Sequence, residues 1–130
     1  MKLNSDCVRD VLLTVEEASL GEYISPGTLH KSLPKYEEDE IGYTCLILAD
    51  GGFMDVTTML LPGQEMPYVK SVVRLTYQGH ELIAKIRDKE RWGGIKKALP
   101  AIRNYSIDAI NAVSEGMTSA AISALIQADH

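Results

Sequence analysis

The stretch 75-LTYQGHELIAKIRD-88 closes an alternating run of apolar and polar residues and passes at once into a helical pattern. Thr76 is placed to cap a helix, and Leu82, Ile83 and Ile86 recur at the spacing of one buried helical face. Gly79 lies on the same stripe, where a missing Cβ predicts the close approach of a neighbouring backbone. In the run before it, Val69, Ser71, Val73 and Leu75 are expected to face one way, and Tyr68, Lys70, Val72 and Arg74 the other. An earlier strand reads as Met54, Val56 and Leu60 alternating with Asp55, Thr57 and Met59. The turn-rich 61-LPGQEMP-67 joins the two as a β-hairpin.

Working outward, three helices are expected before the hairpin. In the first, Asn4 is the cap, Leu3 and Val8 stand as a hydrophobic staple, and Asp6 suits the positive end of the helix dipole. Val8, Val11, Leu12, Val15 and Ala18 form its buried face, and Gly21 is expected to end it. The second, 25-SPGTLHKSLP-34, has Ser25 to cap and Pro26 at its first position. Pro34 limits it to about two turns, and Gly27 leaves an irregular or partly extended segment as the alternative. The third, 37-EEDEIGYTCLILADGG-52, opens on a wholly acidic turn, stripes Ile41, Cys45 and Leu48 inward, and stops at Gly51. After the opening stretch, Trp92 begins a helical segment, 92-WGGIKKAL-99, that Pro100 is expected to close. Residues 105–130 read as two short helices divided near Gly116.

This element order predicts an α+β fold. The segments 46-LILADGGF-53 and 75-LTYQGHEL-82 resemble the third-helix exit and post-wing helix of the winged-helix superfamily. That resemblance implies a winged helix-turn-helix domain over residues 1–100, with three helices, a β-hairpin wing and a following helix. A C-terminal helical extension would occupy residues 101–130. More narrowly, 2-KLNSDCVRDVLLTVEE-17, 41-IGYTCLILADGGF-53 and 75-LTYQGHELIAKIRDKERW-92 resemble a family of short uncharacterised bacterial and prophage proteins. The likeness spans most of residues 1–100, with an echo at 106-SIDAINAV-113, and implies a phage or prophage origin. No activity comes with it.

Composition narrows the function classes. A chain of 130 residues is one domain's worth, and 6% aromatic content implies a largely aliphatic core. No apolar run approaches the ~20 residues of a membrane helix, and the N-terminus lacks a signal-peptide core. Cys7 and Cys45 are too few for a disulfide framework or a zinc site and read as small buried hydrophobes, so a cytoplasmic setting is expected. The net charge of −5 is unevenly spread. Residues 1–69 carry 4 basic and 12 acidic side chains, residues 70–103 carry 9 and 3, and residues 104–130 carry none and 3. The only basic territory is therefore the middle of the chain.

Candidate surfaces follow from that distribution. Glu37, Glu38, Asp39 and Glu40 suit the positive end of a helix dipole, and alternatively form an acidic docking patch for a basic partner or a mimic of nucleic-acid charge. Nucleic-acid contacts, if made, would come from Tyr43, Tyr68, Lys70, Arg74, Lys96 and Lys97. Lys70 and Arg74 also fit a solvated strand face. Lys85, Arg87, Lys89, Arg91, Lys96 and Lys97 alternate with Glu81, Asp88 and Glu90, which favours intramolecular pairing or neutralisation of the acidic first half. In the tail, Ile107, Ile110, Val113, Ile122, Leu125 and Ile126 either complete the core or form a homodimer interface. His80 reads as a satisfied structural histidine and Trp92 as a hydrophobic anchor. No catalytic, cofactor-binding or metal-binding residue is assigned, because no GxxxxGK[ST], HExxH, GxSxG or CxxC pattern occurs.

The expectation is a non-enzymatic regulatory or interaction module acting mainly through a protein partner, without cofactor or membrane. The alternative is a DNA-binding transcriptional regulator whose dimer assembles a basic surface. Against it, residues 25–50 carry Lys31 and Lys35 versus Glu37, Glu38, Asp39, Glu40 and Asp50, and the loop 61–67 has no base. A recognition helix led by four acids would meet phosphates with repulsion.

Overall fold

A computed structural model describes residues 1–116, and among these the architecture is α+β, with six helices and one antiparallel hairpin. Helix α1 spans Ser5–Glu17, and the Asn4 side chain accepts hydrogen bonds from the Asp6 N–H at 3.0 Å and the Cys7 N–H at 3.4 Å. It buries Cys7, Val8, Val11, Leu12 and Val15. It ends at Glu17 rather than at Gly21, because Ala18 is already extended at φ −70° and ψ 145°. Gly21, at φ +84°, instead turns the chain toward Ile24.

Helix α2 spans Pro26–Ser32 and is fully helical, so the irregular alternative falls away. A reciprocal cap decides this. The Ser25 hydroxyl accepts from the Thr28 N–H at 3.1 Å, and the Thr28 hydroxyl accepts from the Ser25 N–H at 2.9 Å. Helix α3 spans Glu38–Asp50 and buries Ile41, Thr44, Cys45 and Leu48. The Thr44 hydroxyl is satisfied by the Glu40 carbonyl at 2.8 Å. Helices α1, α2 and α3 pack on one another, with α3 also lying against both strands.

Strands β1, Met54–Met59, and β2, Tyr68–Leu75, form the hairpin. Two expectations about it are corrected. Leu60 lies beyond β1 and is exposed. The strict alternation in β2 also breaks, since Val72 is buried and Val73 exposed. The register explains why: Asp55 pairs with Arg74 and Val56 with Val72, so Val73 bulges out, and a second shift leaves Lys70 unpaired. The first bulge turns Val72 inward, where its N–H donates to the Ile24 carbonyl at 2.8 Å and Ile24 bridges β2 antiparallel.

Helix α4 spans Tyr77–Ile86 and begins at the predicted Thr76 cap. The Thr76 hydroxyl donates to the Gly52 carbonyl at 2.6 Å and accepts from the Gly79 N–H at 3.1 Å, while its own N–H donates to the Phe53 carbonyl at 3.1 Å. A Cβ at Gly79 would stand 2.0 Å from the Phe53 carbonyl oxygen, which is the close backbone approach the sequence predicts. At the far end of α4, Arg9 donates to the carbonyls of Ile86 at 2.8 Å and Arg87 at 2.6 Å. Its guanidinium lies over the Trp92 ring at 5.9 Å, and the Trp92 indole N–H donates to Asp6 at 3.0 Å. Trp92 is thus the hydrophobic anchor expected, buried and tied to α1.

Helix α5 spans Lys89–Ile102, so it starts three residues before Trp92 and runs through Pro100. Asp88 provides the earlier start by accepting from the Arg91 N–H at 2.8 Å. Pro100 lies close to the helix end, where the missing N–H removes a single bond, and Arg103 at φ +54° closes the last turn. Helix α6 spans Ile107–Glu115 and packs on α4 and α5. Ile107 and Ile110 are buried in the same core cluster as α1 to α4, and Val113 packs against it. No helix among the described residues is long and apolar enough to cross a membrane.

Candidate functional site

An open groove of about 890 Å³ lies between the start of α2, the first turns of α3 and the hairpin loop. Its position follows from the local folding already described. The α2 capping box fixes Pro26 and Gly27 at one wall, and the acidic start of α3 presents Glu38 and Asp39 beside them. The hairpin carries Leu61, Glu65, Met66 and Tyr68 to the opposite wall. Gly42, Tyr43 and Leu46, one to two turns into α3, also line the groove and are half-buried. The charged side chains of the lining are Glu38, Asp39, Glu65 and Lys70, beside Met1 at the N-terminus, so the side-chain charge of the groove is net acidic.

The hairpin end is unusually apolar for a solvent-facing loop. Met59, Leu60, Leu61, Met66 and Tyr68 are all exposed there, with Leu60 59% and Met66 61% accessible. Apart from Tyr68, sequence reasoning missed this half of the site. The signal was present in 59-MLLPGQEMP-67, which places Leu60, Leu61 and Met66 in a turn whose other residues require no apolar burial.

The four acids at the start of α3 sit together around a shallow depression beside Lys2, which shares Glu38 and Asp39 with the groove. Their roles differ. Glu40 accepts from the Asn4 side-chain amide at 2.9 Å and so ties α3 to α1. Glu37 is the α3 N-cap position without a side-chain capping bond. The Glu38 carboxylate lies over α2, close enough that a Cβ at Gly27 would stand 2.7 Å from its Oε1.

Of the six nucleic-acid candidates, only three are brought together. Tyr43, Tyr68 and Lys70 line the groove among carboxylates. Arg74 lies near the base of the hairpin, paired with Asp55 at 2.9 Å. Lys96 pairs with Asp6 at 3.1 Å on the α1–α5 side, and Lys97 is exposed on the same helix. Three further basic side chains are engaged within the chain. Arg87 binds Glu16 at 2.6 Å, Lys85 binds Glu115 at 2.7 Å, and Arg91 donates to the Ser114 carbonyl. These partners come from distant elements rather than from the interleaved Glu81, Asp88 and Glu90. Of the tail positions, Ile107, Ile110 and Val113 are placed in or against the core, while Ile122, Leu125 and Ile126 lie outside the described residues.

Groups with shifted acidity belong to the scaffold. Burial opposes ionisation of Asp6, but the Trp92 indole and Lys96 outweigh it and hold its pKa below the usual carboxylate value. Burial pushes the Cys45 thiol up to about 12 and raises that of Cys7 as well. Burial and the Asp10 carboxylate, which accepts from the Tyr36 hydroxyl at 2.6 Å, raise the Tyr36 pKa. His80 departs from expectation: it is exposed on α4 and makes no side-chain hydrogen bond among the described residues, because Gly79 rather than His80 occupies the inward stripe. In the groove itself, the Ser25 hydroxyl is committed to the α2 cap, which leaves carboxylates and apolar surface as the main available chemistry.

Comparison with known proteins agrees with the sequence resemblance at the level of the family. An uncharacterized protein of Haemophilus influenzae is 26% identical over 121 residues, covering 92% of this chain and 97% of its own length. No solved structure matches significantly. Residues 2–106 match the family described as hypothetical protein (DUF2513), and the chain belongs to that family.

Proposed function

We propose that the chain is a non-enzymatic winged-helix module that acts by docking a protein partner on the face formed by α3 and the hairpin. The winged-helix reading is supported by the order of three helices, hairpin and helix, and by Ile24, which bridges β2 from the segment between α1 and α2. A phage or prophage setting in the cytoplasm accompanies this reading on the sequence resemblance and the two free, buried thiols.

One observation carries the choice of partner class. The surface that a DNA-binding winged helix would present to phosphates is here acidic on α3 and apolar on the hairpin. Phosphate affinity scales with the cations brought to the backbone, and Arg74, Lys85, Arg87 and Lys96 already face carboxylates of their own chain. An exposed apolar patch rimmed by polar groups is instead the usual mark of a protein interface.

Fluorescence anisotropy with mixed-sequence duplex DNA across a salt series tests the reading. No binding is expected even at low salt. Binding at low salt that weakens steeply as salt rises would assign the surface to nucleic acid and reverse the proposal.

A further inference from the structure

The groove between α3 and the hairpin specifies a partner more narrowly than "protein", and the inference rests on the docking reading above. We infer that it receives a short basic amphipathic polypeptide segment, whose apolar side chains seat between Tyr43, Leu46 and Met66 while its Lys or Arg residues reach Glu38, Asp39 and Glu65.

Three observations converge on this occupant. First, size: about 890 Å³ of open groove falls in the range of roughly 300–1,000 Å³ that accommodates a few side chains of a partner segment. Second, charge: three carboxylates and a single lysine edge the groove, so a cationic segment is favoured and an anionic one repelled. The stems of Lys and Arg can cover apolar walls while their heads reach the acidic rim.

Third, Gly42 sits in the middle of α3, where glycine costs about 1 kcal/mol relative to alanine. No internal contact calls for that cost. A Cβ there would meet only the Pro26 ring, at 3.7 Å and 3.8 Å, which are ordinary van der Waals distances. Gly79 is different, since the fold itself forbids a side chain there. What Gly42 does provide is depth in the groove lining, as expected where another chain must come close to the helix.

The test uses the full chain and a short fluorescent helical peptide built from Leu and Lys, with a Leu and Glu counterpart and the duplex DNA as further arms. The basic peptide is expected to bind and the acidic one not. The E38Q/D39N/E65Q triple variant should weaken binding by about tenfold, equivalent to about 1.4 kcal/mol. A charge-matched E81Q/E90Q/D108N control, altered at exposed carboxylates outside the groove, should bind like the parent.

G42L should reduce binding at least as much as the triple variant, because it fills the groove while leaving every charge in place. G93L controls for the added helix propensity, since a Cβ at Gly93 meets nothing within 4 Å. Far-UV circular dichroism of each variant separates lost binding from lost folding.

If the control triple weakens binding as much as the groove triple, attraction is merely to net charge and the inference is overturned. Equal binding of the acidic peptide, or no binding of the basic one, overturns the basic-segment assignment while leaving the protein-docking reading in place. Steeply salt-dependent binding of the duplex overturns both.

Discussion

Replacing Gly79 by alanine is the sharpest perturbation this fold allows, because one methyl group collides with backbone rather than with a movable side chain. The added Cβ would lie 2.0 Å from the Phe53 carbonyl oxygen and 3.1 Å from its carbon. Restoring an ordinary contact near 3.4 Å requires α4 to recede from Phe53 by about 1.4 Å. The junction cannot stretch that far intact. The Thr76 N–H bond to the Phe53 carbonyl, now 3.1 Å, and the Thr76 hydroxyl bond to the Gly52 carbonyl, now 2.6 Å, both span the same gap. Losing two such bonds costs about 2 kcal/mol, and overpacking adds about 2 kcal/mol. Alanine's better helix propensity returns about 1 kcal/mol, leaving a net loss of about 3 kcal/mol. Against a typical total of about 5–15 kcal/mol, that is a large fraction. For a chain of this length it corresponds to a fall in Tm of roughly 10–15 °C. Thermal and urea unfolding followed by far-UV circular dichroism measure it, with G93A as the control expected to hold or gain stability. A G79A protein melting within about 2 °C of the parent would refute the steric argument.

Two further outcomes follow from the scaffold chemistry. Asp6 ionises more readily folded than unfolded, so its contribution is present above the reference value of 3.8 and is lost as pH falls through its lower folded value. Urea midpoints should therefore drop below about pH 4, and D6N should flatten that part of the profile; parallel profiles would contradict the Trp92–Asp6–Lys96 linkage. Cys7 and Cys45 are fully buried with raised pKa values, so a thiol reagent at pH 8 should label neither until denaturant is added. Rapid native labelling of either would show that the α1–α3 interface opens.

What the sequence disclosed was mostly what is decided within one turn of chain. Asn4, Ser25 and Thr76 were readable as caps because the bonds they make reach only two or three residues onward. Gly79 was readable because a glycine on an otherwise apolar stripe gives up burial and helix propensity together, which a helix tolerates where backbone packs against it. The bulges at Lys70 and Val73 were not, since they depend on how β2 meets β1 on one side and Ile24 on the other. The run of α5 past Pro100 was missed because a proline near a helix end removes only one bond. Arg9 gave no local sign of its role, as its acceptors lie more than seventy residues away at the end of α4. At the site, the acidic half was legible as composition, whereas the apolar half required the hairpin to be folded beside α3 before Leu61 and Met66 could be seen to share a groove with Tyr43.

The charge pattern follows the intramolecular pairing that the sequence favoured for the basic middle of the chain, but with partners on other elements. Arg87 reaches Glu16, Lys96 reaches Asp6 and Lys85 reaches Glu115. Those cations join α4 and α5 to α1 and α6 across the fold, and exposed pairs of this kind contribute little stability individually. Their larger effect is on what remains. With Arg87, Lys96 and Lys85 engaged against α1 and α6, Glu38, Asp39 and Glu65 make no ion pair among the described residues and stand beside the exposed apolar side chains of the hairpin loop. A surface that is both acidic and greasy is poorly suited to phosphates and poorly suited to self-association through identical acidic faces. The complementary chemistry is a cationic, partly apolar polypeptide, and Gly42 marks the point on α3 where such a chain would come nearest the backbone.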